Sequence, residues 1–366
     1  MRLLNFIIVF CSFGIAVSCS NSNGDGENEI RFTNGYFIVN SGDDHLGSTS
    51  SIYFRNFDIE DTSGKYNHTD LYSDINKELF RGFILDMAVD NDNAYILSKG
   101  IRNELIITEL LTMKKKNVIS FDFQNPYKLL VTNKKAFVVS EDYFIHVYDL
   151  NALEKIGLIN LTSIAYKGIS NLCYYNNKIY FSSGSPYGIV HEVDLSISKL
   201  TGSFKIGPYP NTIIAKNDGL YMTIERSSSE GTIVYDKSEF LHPTVEPGLV
   251  KLDPLNNELI QITIADNRFP SFLTNEGDLF CFLVYDAKFH SFEREVRTWN
   301  KSTNTLSESL NTFQFNHYDT YTSMSLRNSL LYMTSNNSLY VVDINKTGYQ
   351  LATVTGVNTS KIVFTN

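Results

Sequence analysis

The sequence predicts an all-β chain, a seven-bladed β-propeller of four-stranded antiparallel blades with the ring closed by the C-terminal strand. Three observations lead there. One phrase occurs seven times: a turn of Asn, Asp, Gly, Lys or Glu, then an apolar residue, an aromatic and two or three more apolar or small residues. Its aromatics, Phe37, Tyr95, Phe137, Tyr180, Tyr221, Phe280 and Tyr332, lie 58, 42, 43, 41, 59 and 52 residues apart. A unit of about 40 to 45 residues with insertions is the period of propeller blades. Around each copy stand short β-branched and aromatic runs bounded by Asn, Asp and Gly, and no apolar stripe of helical period competes with them. Almost no helix is expected after the N-terminus.

The elements follow in chain order. The first repeat opens on Ile30-Arg31-Phe32, the turn Asn34-Gly35 and the strand at Tyr36. The clearest copy runs Tyr127 to Thr132, turn Asn133-Lys134-Lys135, Ala136 to Val139, loop Ser140 to Tyr143, Ile145 to Asp149, turn Leu150 to Leu153, then Lys155 to Ile159. The next repeats it with Ile169 to Tyr175, Ile179 to Ser182, Ile189 to Asp194 and Leu200 to Ile206. Val250 to Asp253 and Tyr340 to Asp343 are third strands of later copies. One blade cannot bury both of its faces, so blades stack around an axis, and an open edge would invite aggregation. The terminal run Ser360 to Asn366 reads as a lone first strand that completes the N-terminal blade.

Residues 1–18 carry one positive charge, a short apolar core and small residues before Cys19, the pattern of an export signal. A small residue directly before Cys also resembles the bacterial lipobox, which makes Cys19 the lipidated first residue of the mature chain; plain cleavage is the alternative. Acyl chains there would hold the protein to a membrane without a spanning helix. Residues 19–29 are polar and acidic and read as a flexible tether; residues 30–366 form the propeller. The acidic residues behind Cys19 resemble a surface-export signal, so an outer-membrane, cell-surface location is expected, with a periplasm-facing one as the alternative. Cys173 and Cys281 sit in apolar strands of different blades and read as reduced core residues.

A net charge of -9 argues against a nucleic-acid partner. The histidines lack metal-ligand spacing, and no nucleophile elbow, phosphate loop or dinucleotide fingerprint is present. Asp90-Asn91-Asp92 looks like part of a calcium loop but lacks its central Gly and distal Glu, and reads as a hairpin turn. Quinone-dependent propellers lean on repeated tryptophans, and this chain has one, Trp299. Neither a catalytic residue, a metal nor a cofactor is expected, and the chain reads as a non-enzyme.

Loops entering each blade, with those between second and third strands, gather at one end of a propeller and form the default site. The candidate ligand residues of the entry loops are Arg81, Phe83, Tyr127, Lys128, Tyr166, Tyr209, Arg268, Phe269 and Tyr321. Tyr143 and Tyr187 come from the other loops, and Arg226 opens the insertion that runs to Pro247, a candidate lid. Two roles are open to these aromatics: packing between blades, or flat surfaces for a large amphipathic ligand beside Arg and Lys donors.

The lipobox, the run Asn34-Gly-Tyr-Phe-Ile-Val-Asn40-Ser-Gly leading to Ser51-Ile-Tyr-Phe, and blades of the type Val-Tyr-Asp149-Leu-Asn resemble the YncE-like (YVTN-type) propeller lipoproteins of Bacteroidetes, grouped under domain of unknown function 5074. That resemblance covers roughly residues 30 to 366. It implies a surface lipoprotein that captures a nutrient, cobalamin being the best single candidate, and passes it to a TonB-dependent outer-membrane transporter. A protein-interaction or adhesion propeller is the alternative, and a quinone-dependent dehydrogenase or hydrolase-like propeller the third.

Overall fold

The computed structural model describes residues 32–42, 50–57, 70–80, 82–164, 169–183, 188–206, 210–224, 247–263, 268–286, 293–307, 311–314, 321–335, 338–346, 350–353 and 359–365. They belong to one compact unit, Arg31–Asn366. The leader, Cys19 and the tether lie outside the described residues.

Seven antiparallel sheets are found among the described residues. Blade 1 pairs Thr359–Phe364, Gly35–Asn40 and Ser51–Asn56; blade 2 pairs Gly82–Asp90, Asn93–Gly100, Glu104–Glu109 and Lys115–Ser120. Blade 3 holds Pro126–Thr132, Lys135–Ser140, Phe144–Asp149 and Glu154–Asn160; blade 4 holds Ile169–Tyr175, Lys178–Ser183, Ile189–Asp194 and Lys199–Lys205. Blade 5 is Pro210–Lys216, Gly219–Ile224, Gly248–Asp253 and Glu258–Thr263. Blade 6 is Arg268–Glu276, Leu279–Asp286 and Glu293–Asn300, with its fourth position shared by Thr305–Leu306 and Asn311–Gln314. Blade 7 is Tyr321–Arg327, Leu330–Ser335, Ser338–Asp343 and Gln350–Thr353. The first strand named for each blade touches its counterparts in the two neighbouring blades in unbroken cyclic order, so these are the inner strands of a closed ring.

The C-terminal strand closes that ring as the sequence predicts: Phe37 faces Val363 and Ile38 faces Ile362 across an antiparallel pair. Blade 1 departs from four strands, since three are described. The helix Leu71–Asn76 packs beside its outer strand, and the Asp70 carboxylate just before it accepts the backbone N–H of Ile52 at 2.9 Å. Covering an edge with a helix is one of the ways a sheet avoids unwanted pairing.

Tight turns explain the polar residues of the repeated phrase. Asn133-Lys134, Asn176-Asn177 and Asn328-Ser329 all have positive φ at both central positions, between 48° and 60°. That is the backbone of the two-residue hairpin turn whose twist matches its strands, and Asn tolerates it best among residues with a side chain. After each turn the second strand alternates its side chains between two neighbours. Phe137 and Val139 pack with Ile179 and Phe181 of blade 4, whereas Ala136 and Val138 pack with Leu97 and Leu105 of blade 2. Seven apolar clusters result, one at each join between blades.

All seven aromatics of the phrase are buried, at 5% exposure or less. Six occupy the third residue of their strand and face the following blade; Phe280 is the second residue of Leu279–Asp286 and faces blade 5, beside Tyr221 at 4.6 Å between ring centroids. Cys281 stands at the third position and joins the core toward blade 7. Because strand side chains alternate, this slip of one residue reverses the face. Cys173 and Cys281 are both buried free thiols.

Each inner strand carries a bulge against its partner, at Ser360, Leu85, Tyr127, Ser170, Asn211-Thr212, Phe272 and Thr322. A bulge bends the strand and re-aims the residues after it.

Candidate functional site

Hydrogen bonds between blades distinguish the two ends of the ring. At the turn end, Asn133 donates to the Tyr174 hydroxyl at 2.7 Å, Lys216 donates to the Gly277 carbonyl at 2.7 Å and the Asn328 N–H donates to Glu276 at 2.9 Å. At the entry end, where inner strands begin, the Ile84 N–H donates to the Ser50 hydroxyl at 2.9 Å and the Ile169 N–H to the Tyr127 hydroxyl at 3.0 Å. Of the candidate residues, the described ones stand toward the second end.

Tyr143 is the most exposed of the candidates whose side chains are described. It sits between the second and third strands of blade 3, 46% exposed, with φ at 66°. Its N–H donates to the Ser140 carbonyl at 3.2 Å, its carbonyl accepts the Leu161 N–H at 2.9 Å, and the neighbouring Glu141 N–H donates to the Asn125 carbonyl at 3.1 Å. Beneath it, the Ser140 hydroxyl donates to Asp142, and His146 Nε2 lies 2.9 Å from the Ser140 hydroxyl and 3.5 Å from Asp142 Oδ2. His146 is buried and stacks on Phe123, with ring centroids 3.5 Å apart. Burial, with Lys155 adding to it and Asp142 opposing, pushes the imidazole below its ordinary value. Serine and carboxylate approach the same imidazole nitrogen, and Nδ1 has no partner among the described residues. A hydrolytic triad needs its acid on the far nitrogen. These groups therefore serve to tie down the loop that presents Tyr143.

Tyr127 is half-buried and packs in the core between blades 3 and 4. Burial pushes its phenol up, with Glu141 and Tyr143 adding to that, which places all three groups in one neighbourhood. Its hydroxyl serves the join between blades through Ile169. Lys128, the next residue, is half-buried near Asp86 of blade 2. Phe83, also half-buried, lies opposite Lys99 near the head of the blade 2 inner strand. The structure thus brings Tyr127 and Tyr143 together on the blade 4 side of the blade 3 inner strand, while Lys128, the next residue, lies toward blade 2. Arg268, Phe269 and Tyr321 have their backbone at the head of the blade 6 and blade 7 inner strands. Arg81, Tyr166, Tyr187, Tyr209, Arg226 and the insertion 225–246 lie outside the described residues.

Asp86 and Lys361 were not singled out by the sequence reading. Asp86 accepts the Lys361 ammonium of blade 1 at 2.5 Å, the Leu129 N–H of blade 3 at 3.1 Å and the Met87 N–H at 2.9 Å. Burial alone would raise its carboxyl; Lys361 and Lys128, with the hydrogen bonds, outweigh this and hold it below the usual carboxylate range. A carboxylate within the run Phe83-Ile-Leu-Asp86-Met-Ala-Val was the available signal.

The family model of a domain of unknown function, DUF5074, matches residues 34–290, more than half of the chain. The chain belongs to the DUF5074 family. No curated protein matches the sequence of this DUF5074 member. Among solved structures it is similar to the computationally designed Ika8 protein, at 9% identity and a TM-score of 0.51 over 78% of this chain and 92% of that one. Hydrazine synthase of Kuenenia stuttgartiensis is similar at 13% identity and a TM-score of 0.51, over 78% of this chain and 80% of that one. Likeness at those identities speaks for the fold alone.

Proposed function

We propose that this DUF5074 propeller is a non-enzymatic, surface-exposed lipoprotein that captures a large polar-aromatic nutrient, with cobalamin the best single candidate, and hands it to a TonB-dependent outer-membrane transporter. One observation carries the proposal: the entry end of blade 3 holds an exposed tyrosine, Tyr143, on a loop pinned by its own hydrogen bonds, next to Tyr127 and Glu141. A flat side chain on a preorganised support loses little entropy when it meets a ligand. The leader and Cys19, as read from the sequence, support a lipid anchor. The likeness to YncE-like lipoproteins of Bacteroidetes supports the capture role and the choice of cobalamin.

The test is calorimetric titration of the chain from residue 20 onward with cyanocobalamin. Micromolar binding that weakens about tenfold in Tyr143→Ala is expected, the loss of roughly one aromatic contact. Absence of binding in the folded parent would discard cobalamin. A second reading, a protein-interaction propeller, has its own observation: Val118, Ile156 and Leu158 are exposed on the outer strands of blades 2 and 3. Substituting those three with Ser would then abolish cell-surface association while leaving cyanocobalamin binding intact.

A further inference from the structure

Inner strands of blades 1, 2 and 3 lie side by side, and in each the bulge residue is followed at once by a charged one: Ser360 by Lys361, Leu85 by Asp86, and Tyr127 by Lys128. In blade 4 the same place holds Asn171, in blade 6 Leu273 and in blade 7 Ser323. Charge is thus confined to three adjacent blades, in the order cation, anion, cation.

The pairing in this trio is unequal. Asp86 spends Oδ1 on the Lys361 ammonium and the Met87 N–H, and Oδ2 on the Leu129 N–H. Lys128 is attracted to Asp86 through space, but its ammonium makes no hydrogen bond with any described residue. Lys361 keeps a side chain that is 35% exposed and has two further N–H donors beyond the one on Asp86. Among the described residues, two cations facing one carboxylate leave an excess positive charge. An incoming anion would give the Lys128 ammonium a charge-assisted hydrogen bond that no described residue supplies.

We infer that Lys128 and Lys361, flanking Asp86, form a subsite on the inner strands for an anionic group, a phosphate or a carboxylate, of a bound small molecule. Asp86 is the positioning residue. It holds Lys361 in place and keeps the two ammonium groups from repelling each other outright. The subsite adjoins the Tyr127 and Tyr143 neighbourhood, so it deepens the capture proposal by requiring a negative charge on the captured nutrient; it rests on that proposal for its biological meaning but not for its chemistry.

Inorganic phosphate and succinate, each titrated at constant ionic strength into the chain from residue 20 onward, test the inference and separate the two anion types. Calorimetry and the thermal unfolding of Trp299 fluorescence are the readouts. Saturable binding of one or both probes is expected, weakened about tenfold or more in Lys128→Gln, the loss of one charge-assisted hydrogen bond. Lys128→Arg and Lys134→Gln, the latter at the opposite end of the ring, keep it. Asp86→Asn also weakens binding, because the amide no longer holds the Lys361 ammonium by charge and sets an NH2 donor against a donor that Asp86 accepts. Absence of saturable binding of either anion to the parent chain, or equal binding by Lys128→Gln, overturns the subsite. Phosphate binding without cyanocobalamin binding keeps the subsite and discards cobalamin; the converse discards the subsite and leaves the capture proposal standing.

Discussion

Tyr143 owes its exposure to its neighbours more than to its own chemistry. The residue lies in the left-handed region, which a non-glycine residue occupies only when its surroundings insist. Ser140, Asp142 and His146 do the insisting. Asp142→Ala removes the acceptor for the Ser140 hydroxyl and should cost about 1 kcal/mol, since the carboxylate is partly exposed. Hydrogen exchange at residues 141–145 should quicken severalfold while the rest of the blade keeps its protection; unchanged exchange there would show the loop does not need Asp142. His191 permits a pH prediction. It is buried at the equivalent position of blade 4, against Phe181, and burial pushes its pKa down to about 4. The unfolded chain binds this proton first, near pH 6.5, so the stability favouring the neutral form is full above that value. It is lost as pH falls from about 6.5 toward about 4, in total on the order of 3 kcal/mol. Urea midpoints at pH 7 and 4.5 should therefore diverge less in His191→Gln than in the parent. The aromatic character of Tyr143 was legible in the sequence. Its support by Asp142 was not, because Ser140 and Asp142 are ordinary turn residues until a histidine from the next strand meets them.

Blades show how a repeat written in one register can be folded in another. In blade 6 the bulge at Phe272 and the aromatic at Phe280 both lie one residue nearer the turn than in blades 2, 3, 4 and 7. The whole hairpin has slipped by one, so Phe280 meets Tyr221 and Trp299 while the small Cys281 fills the join with blade 7. Restoring the aromatic to the third position with Cys281→Phe should therefore destabilise the protein, by about 1–3 kcal/mol of overpacking at a fully buried site. Phe280→Ala should cost about 3–5 kcal/mol through the cavity it leaves. Urea unfolding followed by Trp299 fluorescence checks both; a stabilised Cys281→Phe would mean that blade 6 keeps the common register. The phrase made the strand legible, but its face depends on strand pairing, which a count of residues along the chain does not contain.

For the whole molecule, closure is the feature that carries the most consequence. Thr359–Phe364 contributes Val363 to the core between blades 1 and 2, Ile362 to the core between blades 7 and 1, and Lys361 to Asp86. Ending the chain at residue 358 takes all three away and bares the edge of Gly35–Asn40. The truncated chain should lose its single cooperative transition and elute as aggregates from a sizing column. A monomer with the parent's melting profile would show that the ring does not need its latch.

Local chemistry determined the blades: turn residues that accept positive φ, alternation along each strand, and a terminal strand with nothing beside it in sequence to pair with. These are short-range properties, and a sequence records them directly. The tertiary structure alone decided which faces the side chains of blade 6 take, that a helix stands at the edge of blade 1, and that Lys361 meets Asp86 across 275 positions of the chain. Burial and charge pairing depend on what the ring brings together in space, and closing a ring unites residues from opposite ends of the polypeptide.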